Sequence, residues 1–126
     1  SAIQTQQADI LQQGQNHHAV SYQQGGANQS LILQNGMANT ALINQTGYAN
    51  NAQAIQSGVL LEASLLQQGY GHDASIVQAG YGKEATISQH GVHGSAEIHQ
   101  LSQQRTSPVT ITQFSRGQAS VQVYQY

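Results

Sequence analysis

Cysteine and tryptophan are absent, proline occurs once, and charged residues make up only 6% of the 126 residues. Without cysteine there is no disulfide framework and no thiolate chemistry. Three Lys and Arg in all leave no electrostatic footprint for nucleic acid or an anionic membrane, so nucleic acid is not expected as a specific ligand. No apolar run reaches the roughly 20 residues that a bilayer crossing needs, so no transmembrane segment is expected. No basic-then-apolar signal segment opens the chain, a start that fits a mature secreted protein or a cytosolic one. Aliphatics are moderate and aromatics few. A conventional core is hard to build from this composition.

What is present in their place is Gln, Asn, Ser and Gly. Such polar bias often means disorder, but a net charge of −2 gives little self-repulsion and the bias is periodic. Gln12, Gln23, Gln34, Gln45, Gln56, Gln67, Gln78, Gln89 and Gln100 are spaced by eleven without exception. Gly14, Gly25, Gly36, Gly47, Gly58, Gly69, Gly80 and Gly91 follow two residues behind the first eight. A small residue opens every unit, from Ala8 and Ala19 through Ser30 to Ala96. Numbering each unit from that residue puts Gln at position 5 and Gly at position 7. The period is the dominant signal.

An eleven-residue period is also that of a right-handed helical coil. A Gly in every unit would cost such a helix about 1 kcal/mol each relative to Ala, which excludes it. Positions 1, 3 and 5 alternate with 2 and 4 as a strand requires. Gly at position 7 and Asn at position 10 (Asn28, Asn39, Asn50) are read as the turn, supplying positive φ. Each unit is therefore strand, then arc.

Positions 1, 3 and 5 vary least and are assigned to the interior. Ile10, Ile32, Ile43, Leu65, Ile76, Ile87 and Ile98 occupy position 3, with Ser21 and Ala54 as smaller exceptions. One strand and one arc reverse the chain, so two units, 22 residues, complete a turn. The predicted fold class is all-β: a cross-β solenoid of two flat parallel sheets, about six turns and on the order of 27 Å long. Equivalent residues then stack about 4.8 Å apart and the glutamines form two amide ladders, one per sheet. Stacked amides satisfy each other, which is how so polar a chain can own a packed interior.

Residues 8–106 hold the nine concordant units. Beyond them Ser102 replaces the turn Gly, Pro108 enters at the start of a strand, and the marker Gln arrives late at Gln113 and Gln125. Residues 107–126 are read as two divergent units with longer arcs, and 1–7 as a short segment with a partial strand around Ile3.

The pattern resembles the curlin repeat of curli, the functional amyloid of bacterial biofilms: Ser or Ala opening a strand, Gln closing it, Gly then Asn in the arc, as in ALINQTGYANN at 41–51. The resemblance covers the chain from Ala8 onward. It implies secretion in unfolded form through an outer-membrane pore, self-association into extracellular, cell-surface fibres, and as partners the major or minor curlin counterpart and the curli secretion and assembly machinery. QSGVLLEASLLQ at 56–67, the lack of a long Gly-rich leader, and irregular last units with Arg105 and Arg116 are more like the minor, nucleating subunit. The ending Gln125-Tyr126 and the lack of a basic cluster in the final unit are more like the major one. No polar cap is evident at either terminus, so open ends that template the next molecule are expected to be the working part.

Other constellations were weighed against this repeat. His17, His72, His90, His93 and His99 fall in different columns, so neither a metal site nor any other cofactor is expected, and these histidines read as exposed polar residues. The Ser, His and Asp of GYGHDAS belong to the repeat, and no catalytic residue or enzyme function is expected. Glu62, Asp73 and Glu84 all occupy position 11 and are candidate gatekeepers against premature aggregation, with Lys83 beside Glu84 offsetting part of the Glu62–Glu84 repulsion; the plainer reading is a solvated arc. Outward aliphatics form a candidate interface: Leu31 and Leu33 with Leu11 and Ile55 on one sheet, and Val20, Tyr22, Leu42 and Leu66 on the other. A monomeric solenoid that binds ice or sugar through a flat face is the alternative from another class. It would need repeated Thr or aromatics at outward positions, which this chain lacks.

Overall fold

The computed structural model describes residues 7–101 and 108–125. The segment around Ile3, together with Ser102, Arg105 and Tyr126, lies outside the described residues. The strands are β1 (Gln7–Gln15), β2 (His18–Gly26), β3 (Gln29–Met37), β4 (Thr40–Tyr48), β5 (Asn51–Val59), β6 (Glu62–Tyr70), β7 (Asp73–Tyr81), β8 (Glu84–Gln100) and β9 (Val109–Gln125). All pairing is parallel, and from β1 to β8 each residue pairs with the one 22 positions on. One sheet stacks β1, β3, β5, β7 and the second halves of β8 and β9; the other stacks β2, β4, β6 and their first halves. The result is a two-sheet β-solenoid of about five turns, slightly fewer than the sequence implied. It contains no helix long and apolar enough to cross a membrane among the described residues.

Alternation decides the faces. Positions 1, 3 and 5 point inward: Ala41, Ile43 and Gln45 on β4, Ala63, Leu65 and Gln67 on β6, Ala74, Ile76 and Gln78 on β7 are all buried. Ile32, Ile43, Leu65, Ile76, Ile87 and Ile98 form the spine, continued by Ile111 on β9. Ile10 differs from its expected core role: it is 45% exposed, because β1 has a neighbouring strand on one side only, β3.

The corners are built differently from the expected strand-then-arc. Seven of the strands run nine residues, from position 11 of one unit through position 8 of the next, leaving arcs of two residues such as Ala38-Asn39. The position-7 glycines therefore lie inside the ladder, Gly47 pairing with Gly69, and bend the strand there with φ of 123° at Gly47. A Cβ at Gly47 would fall on the Gly69 carbonyl oxygen, a backbone atom that cannot give way. The left-handed residue of each arc is position 9, including Ala27, Ala38, Ala49 and Leu60 with φ of 56° to 60°. Asn28, Asn39 and Asn50 at position 10 correct the sequence reading: they do not supply positive φ but turn their amides into the arc. A non-glycine left-handed residue costs about 1–2 kcal/mol. Backbone hydrogen bonds that carry the ladder around the corner offset it, as Leu60 N–H donates to the Met37 carbonyl at 3.1 Å and Thr40 N–H to that of Leu61 at 2.7 Å.

The register changes only late. β9 follows β8 until Val92–Arg116, and the pairing resumes at Gly94–Ala119, so the last arc holds two residues against one.

Replacing Gly47 by Ala should lower the denaturation free energy by about 1–3 kcal/mol or more, since both the positive φ and the occupied space oppose a Cβ. Equilibrium denaturation of the ordered form monitored by far-UV circular dichroism measures this, with Ala49→Gly, at a position that favours glycine, expected to change stability in the opposite direction.

Candidate assembly surface and its supporting ladders

Inside each sheet the glutamines bond in one direction. Gln34 Nε2 donates to Gln56 Oε1 at 2.8 Å, Gln56 to Gln78 at 2.9 Å, and Gln78 to Gln100 at 2.8 Å. On the facing sheet Gln45 donates to Gln67 at 2.8 Å and Gln67 to Gln89 at 2.9 Å. Gln12 and Gln23, less buried, open the two ladders on Gln34 and Gln45 at 2.6 and 2.7 Å, and Gln113 and Gln125 on β9 extend them. From Gln23 to Gln113 the second N–H of the amide goes across the interior, a contact stacking alone did not foretell. Gln56 reaches the Thr40 carbonyl at 2.8 Å and Gln67 that of Asn51 at 2.9 Å, sixteen residues back on the opposite strand. A glutamine inside the stack thus ties its neighbour rung and the far sheet together. No buried side-chain nitrogen or oxygen among the described residues lacks a partner.

Glu at such a site keeps the shape but removes both donors. Gln56→Glu would leave the Thr40 carbonyl and Gln78 Oε1 without their hydrogens and bury a charge, lowering stability by several kcal/mol at neutral pH, on the order of two lost buried hydrogen bonds. The same substitution at exposed Gln53 should change stability by less than about 0.5 kcal/mol. Denaturation midpoints of the two variants check the difference.

The outer faces carry what differs between units. Leu11, Leu33 and Ile55 pair rung by rung in one column, and Val77, missed in the sequence, extends it. The His99 and Tyr124 rings continue the line, stacked 4.8 Å apart. Beside this column runs a shallow groove of about 270 Å³ bordered by Leu11, Leu33, Ile55, Gln13, Asn35 and Ser57. Leu11 is 57% exposed, whereas Leu31, Leu33, Ile55 and Leu66 are half-buried by their own neighbours and offer less free surface than expected. Leu31 is alone in its column, between Asp9 and Gln53. On the other sheet Val20 and Leu42 adjoin, but Asn44 separates Tyr22 from Leu66. A further exposed set lies at position 8: Met37, Tyr48, Tyr70 and Tyr81, with Tyr48 and Tyr70 on adjacent rungs. Its eleven-residue recurrence is visible in the sequence, but only the structure shows that position 8 belongs to the strand and projects outward.

Glu62, Asp73 and Glu84 start β6, β7 and β8, on the ladder itself and not in a loose arc. Glu62 and Glu84 pair directly across adjacent rungs. Burial first, and then the Glu84 charge, raises the Glu62 carboxyl above its ordinary range. Asp73 is raised likewise by burial and by the charge of Glu97. Lys83 is fully enclosed in its arc, and that burial lowers its ammonium.

Two histidines are not the surface residues the sequence suggested. His72 is fully buried and His17 half-buried, each at position 10 where other units have Asn. No group of three or more potential metal-ligating side chains comes together among the described residues.

Raised carboxyls fix a sign. The folded chain holds protons on Glu62 and Asp73 more tightly than the unfolded chain, so their contribution to stability is present at low pH and is lost as pH rises through the folded-state range. Glu62→Gln should stabilise the ordered form near neutrality, and that gain should vanish near pH 4, about where free carboxyls protonate. Denaturation of both proteins at the two pH values reads the difference directly.

Compared with known proteins, the chain matches the family model described as the curlin associated repeat, over residues 22–47 and 61–91. No curated protein and no solved structure matches it.

Proposed function

Because two stretches of the chain match the curlin associated repeat, we propose that it is a structural subunit of extracellular curli-type amyloid fibres, acting at the cell surface as the minor subunit that nucleates polymerisation. The observation that carries the fibre role is the column structure: Ala on Ala, aliphatic on aliphatic (Ile43 on Leu65, Ile76 on Ile98) and Gln on Gln, in register and parallel, with backbone and amide bonds running along one axis. A rung of another copy presents the same column and can continue both bond systems, so growth needs no new chemistry. The role is structural and not catalytic. Secretion across the outer membrane, a place in the biofilm matrix, and partnership with a major curlin and the curli assembly machinery belong to the same proposal.

The nucleating role is supported by the stretch 56–67, where Leu60 and Leu61 replace the small or polar arc residues, and by the shifted register at β9, with Arg116 in the last pair before the shift. Such departures make the two halves of the chain unequal: regular rungs suited to templating and a variable end suited to attachment. The aliphatic column from exposed Leu11 to half-buried Val77 offers a lateral face to neighbouring fibres.

Seeding separates the two roles. Added at about one part in fifty to a cognate major curlin, a nucleator removes the lag of assembly followed by thioflavin fluorescence. An unchanged lag, with the chain forming abundant fibres alone, would instead assign it to the bulk of the fibre. Fibre diffraction lacking a meridional reflection near about 4.8 Å would remove the amyloid reading altogether.

A further inference from the structure

The position-10 column on one arc runs Asn28, Asn50, His72, Gly94. Asn28 donates Nδ2–H to the Gln24 and Gly47 carbonyls at 3.0 and 3.2 Å, and its Oδ1 accepts the Asn50 N–H at 3.1 Å. Asn50 repeats the arrangement, donating to the Thr46 and Gly69 carbonyls at 3.3 Å and accepting the His72 N–H at 3.0 Å. At the next rung an imidazole does the amide's work. His72 Nε2 lies 2.8 Å from the Gln68 carbonyl, the same residue four back, and Nδ1 accepts the Gly94 N–H at 3.0 Å. The ring is 1% exposed, and the bare Gly94 above leaves room for it. His17 shows the same pair of contacts on the other arc, to the Gln13 carbonyl at 2.6 Å and from the Asn39 N–H at 3.4 Å.

We propose that His72 is an acid-sensitive latch of the solenoid, closing its arc when neutral and opening it when protonated. Both contacts require one form of the ring: Nε2 must carry the proton to donate to a carbonyl, and Nδ1 must be bare to accept from an amide. The imidazolium carries a proton on each nitrogen, so its Nδ1–H would meet the Gly94 N–H head on, in a site closed to bulk solvent. An asparagine amide has no such second state, so Asn28 and Asn50 are indifferent to pH.

The surroundings supply no compensating charge. Asn50 lies below the ring, Gln68 and Gly69 beside it, and Gly94, Gln113 and Ser115 above. Asp73 follows in sequence but is exposed at the head of β7, where it senses Glu97. His93, flanking Gly94, is exposed and meets the edge of Tyr70, 5.8 Å between ring centres. Among the described residues none of these makes an ion pair with His72. Lys83 belongs to the opposite arc.

The direction follows by linkage. The neutral ring makes both bonds and an imidazolium cannot accept the second, so the latch contributes where imidazoles are neutral, above about pH 6.5, and its contribution falls below that range. Each pH unit below it lowers the folding equilibrium by up to about tenfold. This is opposite in sign to Glu62 and Asp73 and falls in a higher pH window. A chain held in mild acid stays unlatched, and transfer to neutral pH lets it order. The inference concerns this chain's own folding and holds for either fibre role.

The test compares the full chain with His72→Asn, which restores the amide found one rung below. Folding equilibria from denaturant titration are measured at about pH 7.5 and pH 5.5, the latter chosen roughly one unit below the free imidazole range. The wild type is expected to lose about tenfold and His72→Asn to lose at most the smaller part due to His17. Equal losses in the two proteins, or no loss in the wild type, overturn the latch. Should His72→Asn not order, 15N solid-state NMR of the wild-type fibre decides: a bare Nδ1 at neutral pH whose protonation coincides with loss of order supports the proposal. A ring protonated on Nδ1 at neutral pH, or one that titrates with no loss of order, refutes it.

Discussion

A buried glutamine amide has two N–H donors and an acceptor to place where no water reaches, and the whole architecture answers that demand. One donor goes to the next glutamine 22 residues on, the other to a carbonyl sixteen residues back. Both contacts exist only if consecutive rungs keep one register and the facing strand stays at a fixed offset. A slip of one residue would move every amide to the outer face and every outward side chain to the core. The glutamines hold the register that the aliphatics merely fill. A spine of single Ile and Leu residues between two Ala/Gln borders is thin for 126 residues, and the amide bonds make up for breadth with directionality.

The arcs obey the same rule by other means. Glycine at position 7 lets the backbone of one rung lie against the carbonyl of the next, and the left-handed residue at position 9 closes the reversal. Position 10 then plugs the corner with a side chain that bonds to both its own arc and the rung above. Asn does this with an amide, His72 and His17 with a ring. Lys83 and Leu61 fill the same place with side chains of unlike chemistry, so the column tolerates variety where the glutamine ladder does not.

With the interior so uniform, individuality is left to the surface. The aliphatic column from Leu11 to Val77, the tyrosines at position 8 and the paired Glu62 and Glu84 all project from strands whose inner faces are nearly identical. The carboxylate pair weakens the fold near neutrality, because burial and the neighbouring charge both oppose ionisation of Glu62.

Length of repeat, strand alternation and the two glutamine columns were legible in the sequence, because side-chain period and spacing alone determine which residues share a face and a column. Ile32, Ile43 and Gln45 needed no coordinates to be placed inside. Ile10 was misplaced because burial depends on having a rung on both sides, which is a property of position in the stack and not of residue type. Other features waited for the tertiary structure. The sequence marks Gly and Asn as turn formers but cannot say which residue takes the left-handed angle, and closure gave that to Ala38 and Leu60, with Asn39 turned inward. Nor does a histidine announce its surroundings: the same imidazole is exposed at His93 and enclosed at His72, decided by whether its column lies at the outside or the inside of a corner. Periodicity is a one-dimensional quantity and fixes the one-dimensional stack; what each corner encloses depends on how two rungs fit together in three dimensions.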